Sequence, residues 1–118
     1  MDHLALAVSD QERSRRFYER HLGFTAEPAP RADGVLMLHN AAGFALALGE
    51  TSERISLPSF LHFGVGLPTA SEVSAFRDGL NADGVEIVGE WDEPDYVSIK
   101  FHDPDGYLVE VSWEPPRS

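Results

Sequence analysis

The sequence predicts an α+β fold made of two βαβββ modules, and three observations lead to that prediction. One order of elements, a strand, a helix and then further strands, occurs in residues 1–50 and again in residues 60–114. The opening strands of the two halves match, since His3-Leu-Ala-Leu-Ala aligns with His62-Phe-Gly-Val-Gly. Along both strands larger apolar residues alternate with small ones, which is typical of a sheet packed on one face.

The first module begins with a strand predicted over residues 2–8. A helix follows over residues 11–22 and ends at Gly23, a residue that readily adopts the left-handed conformation found after helices. Two further strands are expected at Val35–His39 and Gly43–Leu48, joined as a hairpin. The position of the module's second strand is left open by the pattern.

The second module repeats this order of elements. Its last two strands are expected to turn at Asp103-Pro-Asp-Gly106, because proline pre-sets φ and glycine tolerates a positive φ. Residues 51–59 are polar and are predicted to link the two modules within a single domain, residues 1–118. The other predicted elements are strands at Phe60–Leu67, Val85–Trp91, 96–102 and Tyr107–Trp113, a helix over 69–82, and an acidic turn at Asp92–Asp95.

Composition excludes several classes of function. The net charge is −11, with 8 acidic and 6 basic residues in 1–59 but 12 acidic and 3 basic residues in 60–118. Such a surface repels phosphate backbones, so we expect no nucleic-acid partner. No apolar run approaches the roughly 18 residues of a membrane span, and no leader-like segment is present, so a cytoplasmic protein without a membrane partner is expected. The absence of cysteine excludes disulfides and thiolate ligands.

Glu110 stands out in the last strand, because its immediate neighbours are valines and an unpaired buried carboxylate is costly. When the two modules are matched, His3 corresponds to His62 and Ala47 corresponds to Glu110. Alternation puts both histidines and Glu110 on strand faces lined largely by alanine and glycine. Such small residues leave room for a ligand, so a concave binding site is predicted there.

Four segments spread over nearly the whole chain resemble the vicinal oxygen chelate superfamily, which includes glyoxalase I, bleomycin-resistance proteins, extradiol dioxygenases and fosfomycin-resistance transferases. The resemblance implies a glyoxalase-like fold, in which two βαβββ modules curve as a mixed sheet around a central cavity, usually in a homodimer. The segments are His3-Leu-Ala-Leu-Ala-Val-Ser-Asp, Glu12-Arg-Ser-Arg-Arg-Phe-Tyr-Glu-Arg-His-Leu-Gly-Phe24, Leu61-His-Phe-Gly-Val and Asp103-Pro-Asp-Gly-Tyr-Leu-Val-Glu110.

The same resemblance implies a divalent metal held by His3, His62 and Glu110. A fourth family ligand position falls on Ala47, which cannot bind a metal. Two imidazoles and one carboxylate suit Fe(II), Mn(II), Zn(II) or Ni(II) and leave coordination positions open. A small-molecule substrate could then bind the metal through two adjacent oxygens, in a lyase, isomerase, transferase or dioxygenase reaction.

Departures from the family narrow these possibilities. Ala47 argues against the glyoxalase I reaction, and Ala5 replaces a threonine that activates the epoxide in fosfomycin transferases. The chain is also shorter than the usual two-domain extradiol dioxygenase. Fosfomycin transferases bind substrate on one face of the strand that corresponds to residues 96–102 of this sequence. By resemblance, Ser98 and Lys100 are therefore substrate-binding candidates.

Each proposed ligand also has an ordinary structural explanation. His3 could be solvated near the N-terminus, His62 could be a buried histidine with satisfied hydrogen bonds, and Glu110 could pair with Lys100 across the hairpin. Their joint occurrence at matched positions favours a metal site. Trp91 and Trp113 are strand-end aromatics that fit either a pocket wall or packing in the core or a dimer interface.

The alternative function is that of a bleomycin-resistance-like protein, which sequesters a cationic antibiotic or metabolite without catalysis. The acidic second half of the chain, the small-residue face and the two tryptophans favour it. A metal site argues against it, since a protein that only sequesters a ligand has no need of one.

Overall fold

A computed structural model describes residues 2–116 of the chain. These residues form two compact units, Met1–Ser56 and Leu57–Ser118, each with one helix and one four-stranded mixed sheet. This arrangement confirms the predicted α+β fold of two βαβββ modules. The elements are β1 (His3–Val8), α1 (Gln11–Leu22), β2 (Thr25–Ala26), β3 (Leu36–His39), β4 (Ala45–Glu50), β5 (His62–Gly66), α2 (Ala70–Ala82), β6 (Ile87–Glu93), β7 (Tyr96–His102) and β8 (Leu108–Trp113).

In the first unit the strand order is β1-β4-β3-β2, with β1 parallel to β4 and the other pairs antiparallel. Leu6 and Val8 of β1 are buried, while Ala5 and Ala7, which alternate with them, are exposed, as alternation predicted. Helix α1 begins after Asp10, whose side chain accepts a hydrogen bond from the amide of Arg13. It ends as predicted at a glycine in the left-handed conformation.

In the second unit the strand order is β5-β8-β7-β6, again with a parallel first pair and antiparallel neighbours. Val73 and Leu80 of α2 are buried against one face of this sheet, where Phe76 of the helix contacts the Phe101 ring at a centroid distance of 6.0 Å. Because successive strand residues point to opposite faces, Lys100 and its even-numbered neighbours lie on the other face. We call this second face the open face.

Several predicted boundaries differ from the structure. The first strand of the second unit begins at His62 rather than Phe60. The predicted acidic turn is wrong in extent, because β6 continues through Glu93 and β7 begins at Tyr96. Acidic side chains disfavour strands only weakly when they point to solvent, and the long β6–β7 ladder outweighs that preference. The missing strand of the first module is the two-residue β2, too short to show a periodic pattern.

Among residues 2–116, neither helix has the length and apolar character needed to cross a bilayer.

Candidate functional site

The open face of the second unit contains a concavity of about 430 Å³. It gathers two of the three predicted metal ligands and both predicted substrate-binding residues from strands β5, β7 and β8. Alanine and glycine, which the sequence predicted to line a binding site, are not among its lining residues. Its lining residues are Phe60, His62, Trp91, Tyr96, Ser98, Lys100 and Glu110.

Glu110 sits at the centre of this face because of the strand register. Its position on β8 pairs with Gly64 of β5 on one side and with Lys100 of β7 on the other. A Cβ atom at Gly64 would lie 3.3 Å from the Glu110 carbonyl oxygen and 3.8 Å from its Oε1 atom. The glycine therefore avoids a tight contact with the backbone of Glu110.

The two carboxylate oxygens of Glu110 have different partners. The Tyr96 hydroxyl donates a hydrogen bond to Oε2 at 2.7 Å, and Oε1 lies 3.6 Å from Nε2 of His62. Lys100 is adjacent in register, yet no ion pair between Lys100 and Glu110 occurs within the described chain. The side chains nearest the Glu110 carboxylate are thus those of a tyrosine and a histidine.

Hydrogen bonding fixes the tautomer of His62. Its Nδ1 atom lies 2.7 Å from the backbone carbonyl oxygen of Phe60, and a carbonyl can only accept. Nδ1 must therefore carry the proton, which leaves the Nε2 lone pair directed toward Glu110 when the ring is neutral. This is the arrangement in which metal-binding histidines are usually held.

The pair of His62 and Glu110 fits a cation. Their facing atoms are an imidazole lone pair and a carboxylate oxygen, separated by 3.6 Å, which is too long for a hydrogen bond. The side chains are 22% and 15% exposed, so solvent screens them only partly. A divalent metal between nitrogen and oxygen donors would satisfy both atoms, and these donor types suit first-row transition metals.

The third predicted ligand, His3, lies at the start of β1 in the first unit and is exposed. Its Nδ1 atom is 2.7 Å from Oδ1 of Asp2, and this hydrogen bond lowers the pKa of the Asp2 carboxyl below its usual value. Nε2 is again the ring nitrogen left for a ligand, as in His62. In residues 2–116, however, no three His, Asp or Glu side chains gather into a group that could hold a metal ion.

Tyr96 is a site residue to which sequence reasoning gave no role. Burial raises the pKa of its hydroxyl, and the hydrogen bond to Glu110 raises it further, while the hydroxyls of Ser98 and Ser112 act in the opposite direction. The phenol therefore stays protonated near neutral pH and remains a donor. The available signal was its position on the face of β7 that also carries Ser98 and Lys100.

Lys100 lines the concavity. A Cβ atom at Gly89, its partner on β6, would lie 3.4 to 3.7 Å from three of its side-chain carbons, so the glycine leaves room for the lysine stem. Ser98 is buried on the same face. Trp91 is 54% exposed and lines the concavity, whereas Trp113 lines a different depression near the β6–β7 turn.

Comparison with known proteins establishes the family. A family model described as the Glyoxalase/Bleomycin resistance protein/Dioxygenase superfamily matches residues 1–111. The chain belongs to this superfamily. The match confirms the resemblance drawn from the four sequence segments. Among curated proteins, no sequence matches the chain.

Solved structures of several proteins share the fold over most of their length. An integron cassette protein from the mobile metagenome of the Halifax Harbour sewage outfall is 26% identical, with 96% and 97% of the two chains covered and a TM-score of 0.81. A possible glyoxalase from Bacillus cereus is 25% identical, with 94% and 96% covered and a TM-score of 0.77. A mutant of the fosfomycin resistance protein FosX from Listeria monocytogenes, complexed with Mn(II) and 1S,2S-dihydroxypropylphosphonic acid, is 20% identical, with 94% and 86% covered and a TM-score of 0.78.

Proposed function

We propose that this superfamily member is a divalent-metal-dependent enzyme acting on a small substrate that binds the metal through adjacent oxygens. One observation carries the proposal: Nε2 of His62 faces Oε1 of Glu110 at 3.6 Å in a part-buried concavity. Two acceptor atoms at that distance repel each other unless a proton or a metal lies near both. The superfamily membership makes a metal the natural occupant.

His62, Glu110 and His3 are the proposed ligands of that metal. When bound, it would supply a Lewis acid to stabilise negative charge on a substrate oxygen. The chain's own contribution is to hold the ligand atoms ready, with Phe60 fixing the His62 ring through its carbonyl and Asp2 engaging Nδ1 of His3.

Lys100 and Ser98 are the proposed substrate-binding residues. Lys100 is the only lysine of the chain and lines the concavity within the more acidic half of the sequence. Its ammonium group would attract an anionic substrate group, and the nearby Ser98 hydroxyl would donate or accept a hydrogen bond. The exposed rings of Phe60 and Trp91 would cover an apolar part of the substrate.

Metal binding tests the core of the proposal. Titration calorimetry with Mn(II), Zn(II), Ni(II) and anaerobic Fe(II) is expected to find about one site per chain for at least one metal. His62→Ala should abolish that binding because it removes a nitrogen ligand. The matched control is His102→Ala, which removes an exposed histidine of the same unit that does not line the concavity. Wild-type protein that binds none of these metals would contradict the proposal.

The role of Lys100 is tested with oxalate, a small dianion that can bind a metal through two oxygens. Lys100→Met keeps the alkyl stem and removes the charge, so oxalate should bind the metal-loaded variant about tenfold more weakly, as expected for a charge-assisted contact worth some 1.4 kcal/mol. Arg77→Met is the control, because Arg77 pairs with Glu90 and Asp78 outside the concavity. Equal oxalate affinity in wild type and Lys100→Met would refute anion binding by Lys100.

The second candidate function is sequestration of a cationic ligand without catalysis. It is favoured by Phe60, which is 82% exposed, and by Trp91, since exposed aromatic faces attract organic cations. A cationic glycopeptide such as bleomycin should then change the tryptophan fluorescence of metal-free protein. Lys100 inside the concavity disfavours such a ligand. Unchanged fluorescence at millimolar glycopeptide would remove this candidate.

A further inference from the structure

We infer that Tyr96 is a positioning residue that holds the proposed metal ligand Glu110 in a one-oxygen binding mode. The inference rests on the proposed metal-binding function and goes beyond it, because it assigns a task to a side chain outside the ligand set. The observation behind it is the division of the Glu110 carboxylate, with Oε2 bound by the Tyr96 hydroxyl at 2.7 Å and Oε1 left facing His62.

The hydrogen bond constrains rotation of the carboxylate. A free glutamate side chain has three rotatable bonds, and its carboxylate can present either oxygen or both to a metal. With Oε2 held by a protonated phenol, only Oε1 faces Nε2 of His62. The side chain is then pre-organised, and less conformational entropy is lost when a metal binds.

The location of Tyr96 makes it an effective anchor. It begins β7, the strand that pairs with β8 through six residue pairs, so its backbone is fixed relative to the strand that carries Glu110. The ring is partly buried and lines the same concavity as its acceptor.

A one-oxygen carboxylate has consequences for metal choice. Ca²⁺ takes six to eight oxygen ligands and often uses carboxylates through both oxygens, whereas first-row transition metals accept nitrogen donors and fewer ligands. By withholding Oε2, Tyr96 would disfavour Ca²⁺ relative to Mn(II). Removing the hydroxyl frees Oε2 and should reduce the preference for Mn(II) over Ca²⁺.

The test compares wild type, Tyr96→Phe and Tyr107→Phe by calorimetric titration with Mn(II) and Ca(II). Tyr96→Phe keeps the ring and loses only the hydroxyl, so Mn(II) affinity should fall about tenfold, as for other groups that orient metal ligands. Ca(II) affinity should fall less. Tyr107→Phe removes a phenolic hydroxyl of the same unit that does not line the concavity, and it should leave both affinities unchanged.

A spectroscopic readout separates positioning from a general loss of structure. The visible absorption of the Co(II)-loaded protein depends on coordination number, and it should change in Tyr96→Phe if Oε2 becomes an additional ligand. A second variant, Tyr96→Leu, removes the same hydroxyl but packs differently. It should show the same reduced preference for Mn(II) over Ca(II).

The possible results distinguish the inference from the function on which it rests. Wild-type protein that binds no divalent metal overturns both. Wild-type protein that binds Mn(II), with Tyr96→Phe unchanged in affinity, preference and Co(II) spectrum, overturns the positioning role alone. An equal loss of Mn(II) affinity in Tyr107→Phe would also overturn it.

Discussion

The backbone of Glu110 lies close to Gly64 on the neighbouring strand. At the paired position of β5, a Cβ atom on Gly64 would lie 3.3 Å from the Glu110 carbonyl oxygen, closer than most Cβ contacts, and would occupy space beside Oε1. Two residues further along the same strand face, a Cβ atom on Gly66 would meet nothing within 4 Å. A methyl group would therefore crowd Glu110 at position 64 but would contact nothing at position 66.

This difference gives a prediction at a single residue. Gly64→Ala should weaken Mn(II) binding about tenfold, because the methyl group would crowd the Glu110 carbonyl oxygen and shift the backbone that carries the carboxylate, an effect comparable to losing an orienting partner. Gly66→Ala is the matched control and should change Mn(II) affinity less than about twofold, while stabilising the fold by about 0.4–1 kcal/mol through reduced freedom of the unfolded chain. Calorimetric titration and thermal unfolding measure both quantities. Equal Mn(II) affinities in the two variants would contradict the argument.

How much of the site the sequence could predict depends on the kind of contact. Alternation predicted that His62 and Glu110 lie on the small-residue strand face, the family resemblance implied a metal-ligand role for both, and the structure brings them together. The Tyr96 hydrogen bond was not predicted, because it links positions fourteen residues apart through the length of a side chain rather than through the strand register. The expected alternative of a Lys100–Glu110 pair failed for a related reason: adjacency in register does not fix where a flexible lysine stem points.

At the scale of elements, the β7–β8 turn determines the register of the strand that carries Glu110. Asp103 is buried there, and its Oδ1 atom accepts hydrogen bonds from the amides of Asp105 and Tyr107, each at 2.9 Å. The backbone adds a hydrogen bond from the Asp103 amide to the Tyr107 carbonyl. The sequence motif Asp-Pro-Asp-Gly thus works through its first aspartate as well as through its proline and glycine.

Removing that side chain should therefore destabilise the second unit. Asp103→Ala leaves two backbone amides without their acceptor and is expected to lower the free energy of unfolding by about 1–3 kcal/mol. Asp103→Asn keeps a carbonyl oxygen at the same place and should recover at least about half of that loss. Denaturant unfolding of the two variants measures the difference. The structural role would be refuted if both variants unfolded like wild type.

Element boundaries were predicted where a residue type enforces them and missed where pairing decides them. Helix α1 ends at Gly23 because only a residue tolerant of positive φ fits there, and this position was foreseen. Strand β6 extends through Asp92 and Glu93, against the expected turn, because pairing with Val97 and Tyr96 on β7 continues the ladder. Long-range pairing of this kind leaves little trace in local sequence.

At the scale of the whole molecule, the proposed ligand set draws on both compact units. His62 and Glu110 belong to Leu57–Ser118, and His3 belongs to Met1–Ser56. The proposed ligand His3 can come from the same chain or from a second copy, and the two origins give different results when variants are mixed. If a second copy supplies His3, the result is a homodimer with two symmetric sites, and two-fold symmetry is the commonest symmetry of soluble oligomers.

Mixing two variants that cannot bind Mn(II) distinguishes the two possible origins of His3. His3→Ala and His62→Ala should each fail to bind Mn(II) when purified alone. If a second copy supplies His3, refolding the two variants together gives mixed dimers. In each mixed dimer one site lacks both histidines and the other keeps all three ligands. Random pairing should therefore restore about a quarter of the wild-type metal content, by the statistics of a two-fold dimer. Mixing the variants nine to one at constant total protein should lower the restored fraction to about a tenth, because fewer mixed dimers form. If instead each chain completes its own site, the refolded mixture will bind no more Mn(II) than either variant alone.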